Sequence, residues 1–383
     1  MQSCVAHQQV SRHKPQTTSR TQKRLYPHPI VSEHARTCDT QRVMKAMEDD
    51  RMVHHDTVTI TAGKLLVRIC PNLGAGIMSF DLNRGDRTAH LMRPAPPGGG
   101  AFNDLAAYWL APWCNRIRGG KFTFLKRSIE LACNWPDEGA GPTAIHGEVC
   151  RAAFDVTHRG EHTLELEHRH RPITGAWPWR YHTKIRYALR TDSLSTAITI
   201  TNEDQSAMPV GIGCHPHFLR SLNASEAPDI AVRASVTSMH EAEHLLPTGT
   251  LDISTAVDTL SAGQPIGELG VDHCFEGYAG SSKICWPTSS VCVDMRSSPA
   301  FSRLHMFTRS PLDANATHFS RPLHFIAVEP VSQAGDAFNR HAQEVALDGE
   351  CRVLEPGTSL SGSIDYHVHV RQPVETPAHG RSM

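Results

Sequence analysis

From Val58 onward, apolar and polar residues alternate with a period of two rather than the helical period of 3.6. The clearest run spans residues 180–190, where Tyr181, Ile185 and Tyr187 alternate with charged or imidazole side chains. The same alternation recurs in four further segments, 194–200, 230–236, 291–295 and 364–370. This pattern predicts antiparallel sheets that have one buried face and one solvent-exposed face.

Turn-forming sequences such as Asn83-Arg-Gly-Asp and Glu355-Pro-Gly separate these runs, and no long amphipathic helical pattern is found. No internal repeat of fixed period is visible, which favours a sandwich of two wide sheets over a propeller. All-β domains often exceed two hundred residues. The sequence therefore predicts an all-β fold, a large antiparallel β-sandwich.

Three segments are expected along the chain. Residues 1–56 have no acidic residue before Glu33 and no apolar period, so they are predicted to be a disordered N-terminal extension. An extension upstream of a later start codon is favoured over the alternative, an organellar transit peptide. Residues 57–372 are predicted to form the sandwich domain, and residues 373–383 a flexible tail.

Composition excludes several partners. With 20% charged residues and a formal net charge of −1, the chain offers no broad basic surface for nucleic acid or an anionic membrane. No apolar stretch is long enough to span a bilayer, and no secretory signal is visible. Eleven cysteines, an odd number without a C-x-x-C pair, indicate reduced thiols and a cytoplasmic protein.

Two segments place a titratable side chain directly before a proline. His215 precedes Pro216, which favours extended backbone at the histidine. Glu329 interrupts an apolar run before Pro330, where desolvation would raise its pKa towards the range of a general base. The alternatives remain open, because most of the 25 histidines are expected to be surface or packing residues and Glu329 could point to solvent.

Two further segments, Trp113-Cys-Asn-Arg-Ile and Ala144-Ile-His-Gly, place polar side chains in glycine-flanked loops of the kind that bind polyols, although ordinary turns use the same residues. The chain lacks the phosphate-binding, dinucleotide-binding, serine-hydrolase and zincin motifs.

Two histidine pairs could bind a metal ion, because the members of each pair share one face of a strand: His168 with His170, and His367 with His369. Because no third ligand lies nearby in sequence, solvated faces are favoured over metal sites.

Taken in order, these segments resemble the aldose 1-epimerase (galactose mutarotase) family over roughly Val58 to Val370. The motifs that carry the resemblance are Asn115-Arg116-Ile117, Ile145-His146-Gly147, Gly213-Cys-His215-Pro216-His-Phe218, Asp272-His-Cys-Phe275 and Val328-Glu329-Pro330. Each motif is weak alone, but five in family order are unlikely to arise by chance.

The resemblance implies a galactose mutarotase-like supersandwich whose groove binds a free aldose and interconverts its α and β anomers without a cofactor or metal. It implies His215 as general acid and Glu329 as general base. It further implies a set of sugar-binding residues, namely Asn115, Arg116, His146 and Asp272. The expected partner is a monosaccharide, and the expected state is a monomer or homodimer.

Two departures from the family pattern bear on which sugar the groove prefers. His217 stands where the family usually has tyrosine, and residues 148–151 replace a glycine-rich stretch. One alternative is a hexose-6-phosphate 1-epimerase, for which three cations near the Asn-Arg-Ile loop are available, Lys121, Lys126 and Arg127. The others are a non-catalytic sugar-binding module and a polysaccharide lyase, because fold does not fix function.

Overall fold

The computed structural model describes residues 56–97, 99–137, 139–223, 227–267, 269–308, 324–343 and 349–370. The expected N-terminal extension, apart from Asp56, and the expected C-terminal tail lie outside these ranges. No helix within them has both the length and the apolar character needed to cross a membrane.

Strands dominate the described chain. In chain order they are β1 Val58–Ala62, β2 Leu65–Cys70, β3 Gly76–Asn83, β4 Thr88–His90, β5 Ala107–Leu110, β6 Arg116–Arg118, β7 Lys121–Phe124, β8 Arg127–Glu130, β9 Thr143–Ile145, β10 Asp155–Arg159, β11 Thr163–His170, β12 Tyr181–Leu189, β13 Ser193–Asn202, β14 Met208–Val210, β15 Gly213–Leu219, β16 Ala231–Ala234, β17 Ser238–Glu243, β18 Leu246–Asp252, β19 Asp272–Glu276, β20 Ser281–Trp286, β21 Val291–Ser297, β22 Arg303–Phe307, β23 Phe325–Val331, β24 Arg352–Leu354 and β25 Ser359–Val370. The helices of the same ranges are α1 Thr255–Ala262, α2 Ala337–Ala342 and the 3₁₀ turns Phe102–Asp104 and Val149–Arg151.

Two large sheets organise these strands. Over the described residues, the first has eleven strands in the order β1-β2-β3-β5-β15-β23-β22-β19-β17-β18, with β4 paired to β3. The second has eight, in the order β10-β11-β12-β13-β25-β21-β20-β16. Neighbouring strands pair antiparallel throughout both sheets. The predicted all-β, antiparallel sandwich is confirmed.

The main core lies between the two sheets. Trp109 of β5 donates a hydrogen bond to the Tyr187 hydroxyl of β12 at 3.2 Å, and Phe218 of β15 packs against Tyr366 of β25. Because side chains alternate along a strand, the residues beside Trp109 and Phe218 face away from this core. The opposite face of the eleven-stranded sheet is therefore free to carry polar groups.

Cysteine usage corrects one expectation. The composition predicts reduced thiols, but Cys285 and Cys292 form a disulfide between β20 and β21. The hairpin register places these two residues directly opposite each other, a pairing that sequence spacing alone does not show. The other seven described cysteines are not in disulfides, and five of them are buried, as expected for small apolar side chains.

Candidate active site

A row of side chains crosses the outer face of the eleven-stranded sheet. Strand register sets Tyr108 of β5 opposite His215 of β15, and His305 of β22 opposite Glu329 of β23. The register between β15 and β23 places His215 opposite Glu329. The row therefore reads Tyr108, His215, Glu329 and His305, and cross-strand neighbours of this kind are about 5 Å apart at Cβ.

His215 and Glu329 are in direct contact. Nε2 of His215 lies 3.1 Å from Oε1 of Glu329, and both side chains are buried. The extended backbone expected before each proline is observed in both strands. Tyr108 stacks on the His215 ring with centroids 4.7 Å apart, which restricts the orientation of the imidazole.

Burial shifts the pKa values of this pair in opposite directions. Desolvation raises the pKa of Glu329 well above its usual range, and the Asp272 carboxylate adds to the effect while Arg116 opposes it. Desolvation lowers the pKa of the His215 imidazole, helped by His305 and Arg93. Asp272 favours a charged His215, as expected of a neighbouring carboxylate, but burial outweighs it. A single proton shared by the pair is therefore favoured on Glu329.

Asn115, Arg116 and His146 are brought to this row by the short sheet of β6 and β9. Arg116 pairs with Ile145, and the His146 amide donates to the Asn115 carbonyl at 3.0 Å. Asn115 and His146 both have left-handed backbone, with φ of 56° and 64°. The His146 ring meets the His215 ring edge to face at 5.2 Å, so the imidazole borders the pair.

Close backbone approach holds this loop in place. Gly147 has φ of 71°, and a Cβ added there would lie 2.0 Å from the Ala111 carbonyl oxygen. Only glycine fits such a position without displacement of the chain. The glycine of the predicted His-Gly motif therefore sets the position of His146.

Two imidazoles in the site carry buried nitrogens without a hydrogen-bond partner in the described structure, Nδ1 of His146 and Nδ1 of His215. An unpaired buried group of this kind costs about 1–3 kcal/mol. Burial also lowers the pKa of His146 well below its usual value, so this ring is neutral near pH 7. Unpaired polar atoms within one pocket are typical of a site that binds a polar ligand.

Asp272 begins β19 and completes the predicted set. Its Oδ1 lies 2.9 Å from Nε2 of His305, and both side chains are buried. The structure thus brings all six residues expected from the sequence to one face of the sheet, where five of them are linked through the contacts and electrostatic interactions described above. The sixth, Asn115, accepts from the Arg116 amide through Oδ1 at 2.8 Å and so shapes the loop.

Sequence reasoning missed Tyr108 and His305. Both lie in buried strands that carry no motif, and only their register with His215 and Glu329 reveals them.

The candidate metal ligands do not assemble into an open metal site. His168 and His170 each bond a backbone carbonyl, of Ala153 and Trp177 respectively. The exposed His369 is paired with Asp294 at 3.0 Å.

A separate group of two buried residues, His240 and Glu350, and the half-buried Glu276 has ligand atoms within 4.8 Å of one another. Two guanidinium groups already neutralise it. Arg303 lies 2.6 Å from Glu276, and Arg340 lies 2.5 Å from Glu350. This group is therefore a buried charge network, in which the arginines take the place that a cation would occupy.

Two of the three cations considered for a phosphate pocket, Lys121 and Arg127, have other partners. The Lys121 ammonium lies 3.0 Å from Glu130 on the exposed β7–β8 hairpin, and the Arg127 guanidinium lies over the Trp179 ring. Lys126 occupies the turn of the same hairpin. The hexose 6-phosphate alternative therefore gains no support from these three side chains.

Comparison with known proteins agrees with the fold and identifies the family. The family model for aldose 1-epimerase matches residues 56–367. Uncharacterized protein YphB of Escherichia coli (strain K12) is 24% identical over 281 residues, which cover 73% of this chain and 89% of YphB.

Two solved structures share the fold. A galactose mutarotase-like protein from Clostridium acetobutylicum has a TM-score of 0.68 and 17% identity, covering 83% of this chain and 96% of that chain. A GalM/aldose epimerase homologue from C. elegans has a TM-score of 0.65 and 15% identity, covering 83% and 100%. Because the family model spans most of the sequence and the sandwich is of the galactose mutarotase-like kind, the chain belongs to the aldose 1-epimerase family.

Proposed function

We propose that this protein is a mutarotase, an isomerase that interconverts the α and β anomers of a free aldose. The observation that carries the proposal is the buried pair of His215 and Glu329, whose side chains meet at 3.1 Å on adjacent strands. Anomer exchange needs one proton acceptor and one proton donor at neighbouring oxygens of the sugar. A pair of this kind can supply both.

In the proposed mechanism, Glu329 as carboxylate takes the proton of the C1 hydroxyl while protonated His215 gives a proton to the ring oxygen. The C1–ring oxygen bond breaks, and the sugar opens to the aldehyde. Rotation about C1–C2 exposes the other carbonyl face, and closure reverses both transfers. No net proton or electron is gained, and each positioned group contributes about 10²–10⁴-fold to the rate.

The proton inventory of the site fits this cycle. The reactive state, Glu⁻ with His⁺, holds the same single proton as the neutral pair that burial favours. Transfer of that proton across the 3.1 Å contact interconverts the two states. Sugar hydroxyls that hydrogen-bond the charged forms would replace the solvation that burial removes.

The remaining residues of the set have binding roles in the proposal. Asn115, Arg116, His146 and Asp272 bind the sugar hydroxyls, and Asn115 also fixes the loop that carries Arg116. Arg116 also opposes the upward shift of the Glu329 pKa. It therefore favours the carboxylate that the first step requires.

We further propose that the protein acts in the cytoplasm as a monomer or homodimer. The seven described cysteines that lie outside a disulfide support this location, whereas the disulfide of Cys285 and Cys292 is less usual in a reducing compartment. Thiol labelling of the protein in intact cells tests the location. Detection of the protein in a compartment outside the cytoplasm, with Cys285 and Cys292 fully oxidised, would overturn the proposed location.

Polarimetry tests the proposed activity. Freshly dissolved α-D-glucose, α-D-galactose and glucose 6-phosphate are followed with the wild-type protein and with buffer. The proposal predicts faster approach to the equilibrium rotation for a free aldose. Acceleration with glucose 6-phosphate alone would favour the phosphate branch, and sugar binding without acceleration would identify a binding module.

A further inference from the structure

Asp336 is a buried carboxylate that lies outside the row of the candidate site and has no part in the proposed acid–base step. It stands directly before α2, in left-handed backbone with φ of 55°. Within the described part of the chain its side chain makes no capping bond to that helix, although aspartate is a favoured capping residue. The carboxylate is instead directed to β6, the strand that begins with Arg116.

One edge of β6 pairs with β9, and Asp336 bonds the other edge. The Asn115 carbonyl accepts from the His146 amide on the β9 side, so the next carbonyl, that of Arg116, faces the opposite edge. The Asp336 amide donates to this Arg116 carbonyl at 2.7 Å, and the Arg118 amide donates to Oδ1 of Asp336 at 2.9 Å. Asp336 therefore takes the place of a neighbouring strand along β6.

The Asp336 carboxylate is itself held from two directions. The Asn339 side-chain amide donates to Oδ1 at 2.8 Å, and the Arg118 guanidinium lies 3.6 Å from Oδ2. Gly335 also approaches the loop before β6, since a Cβ added there would lie 3.0 Å from Oδ1 of Asn115. The segment 335–336 is thus fixed against the main chain on which Arg116 depends.

The buried charge network described above supports the same segment. Nε of Arg340 donates to the Gly335 carbonyl at 3.1 Å, and Nη2 of Arg340 donates to Oε1 of Glu350 at 2.5 Å. Contacts therefore run from Glu350 through Arg340 and Gly335 to Asp336 and Arg116. Support of this kind, one layer behind the binding groups, keeps them in a single geometry.

We infer that Asp336 is the positioning residue for Arg116. Its amide and carboxylate fix the course of β6, and the Arg116 guanidinium is thereby held where it binds the sugar hydroxyls. The inference rests on the proposed function, in which Arg116 contacts the substrate. A group displaced by about 1 Å can cost about 10²-fold in rate even when the mutation lies away from the reacting atoms, so loss of the Asp336 carboxylate should act on the sugar through Arg116.

Two substitutions and a control separate this role from general support of the fold. Asp336→Gly removes the carboxylate, and glycine adopts the left-handed backbone without strain. Asp336→Asn keeps an oxygen that accepts from the Arg118 amide, and asparagine also tolerates this backbone. Asp204→Asn is the matched control, because the Asp204 carboxylate likewise accepts main-chain amides, those of Arg180 and Gln205.

The experiment measures the Kd for the preferred aldose and kcat/KM for mutarotation in each variant, with and without Arg116→Ala. We expect Asp336→Gly to weaken binding by about tenfold, the usual effect of one lost hydrogen bond to a charged group. Asp336→Asn should restore most of the binding, and Asp204→Asn should match the wild type. In the Arg116→Ala background, Asp336→Gly should change Kd by less than about twofold, because residues that act as a unit are non-additive.

Two results would overturn the inference and leave the proposed function standing. One is an Asp336→Gly variant that binds and converts the sugar like the wild type. The other is a loss that multiplies with that of Arg116→Ala, as general loosening of the fold would give. If Asp336→Gly does not fold, the same cycle is measured with Asn339→Ala, which removes one bond to the carboxylate, and a multiplying loss there overturns the inference equally.

Failure of the proposed function gives different results. If Arg116→Ala binds the sugar as tightly as the wild type, Arg116 has no binding role, and the inference falls with it. If the wild type binds sugar without accelerating mutarotation, the proposed function fails, and the same cycle measured in Kd still decides the role of Asp336. A wild type that neither binds nor converts an aldose would overturn both.

Discussion

Replacement of Glu329 by glutamine is expected to stabilise the fold, increasingly so as the pH rises. Glu329 as a whole residue is 1% exposed, and both burial and Asp272 raise its pKa well above the value in the unfolded chain. Between those two pKa values the folded protein holds one proton more than the unfolded chain. The free energy of unfolding therefore falls by about 1.4 kcal/mol per pH unit on account of this group.

The sign follows from the direction of the shift. A group whose pKa is raised in the folded state contributes its full stability below its unfolded pKa, and this contribution is lost as the pH rises through the folded pKa. Glu329→Gln has no such proton. The difference in stability between variant and wild type should therefore start near zero at about pH 4 and grow by up to about 1.4 kcal/mol per unit above it.

Urea unfolding of both proteins between about pH 4 and 8 measures this difference. Glu130→Gln is the matched control, because Glu130 is 72% exposed in an ion pair with Lys121 and its replacement should show little pH dependence. A Glu329→Gln difference that stays flat, or that turns towards destabilisation at higher pH, would refute the argument. Either result would mean that Glu329 is an ionised, compensated carboxylate in the folded protein.

Three other predictions follow from the geometry. A plot of wild-type kcat/KM against pH, corrected for the spontaneous reaction, should be bell-shaped, with an acid limb set by the lowered His215 pKa and an alkaline limb set by the raised Glu329 pKa. A flat profile between about pH 4 and 9 would contradict this prediction. Gly147→Ala should destabilise the fold and reduce activity more than the control Gly119→Ala. Gly119 also has left-handed backbone, but an added Cβ there meets no atom within 4 Å, so its replacement should cost only about 1–2 kcal/mol. Equal shifts of Tm in the two variants would contradict the contact argument. Glu350→Gln should cost about 3–5 kcal/mol in urea unfolding, because it removes the carboxylate that pairs with the buried Arg340 guanidinium. A loss below about 1 kcal/mol would contradict the proposed charge network.

The alternation of residue types was sufficient to predict individual strands. The run at 180–190 corresponds to β12 at Tyr181–Leu189, and the run at 364–370 lies within β25. His182 is an exception to this pattern, because it is buried although it lies on the face of β12 that the alternation predicts to be solvent-exposed. It is buried because Glu167 on the neighbouring strand pairs with its ring at 2.9 Å, and local sequence does not show which residues a strand will face.

Strand register is the information that sequence reasoning lacked. His215 and Glu329 were found because each interrupts an apolar segment before a proline, a local signal. Tyr108 and His305 were not found, since their importance depends only on which residue lies opposite them across the sheet. The disulfide of Cys285 was missed for the same reason, because pairing across a hairpin follows from the turn and not from composition.

The central claim, that His215 and Glu329 act as one acid–base unit, is tested most directly by polarimetry of His215→Asn, Glu329→Gln and the double variant with the preferred aldose. Residues that act as a unit are non-additive, so the account predicts that each single variant loses most of the acceleration and that the double variant loses little more. The claim would be contradicted if the fold-losses of the two single variants multiplied in the double variant, or if either single variant kept wild-type activity.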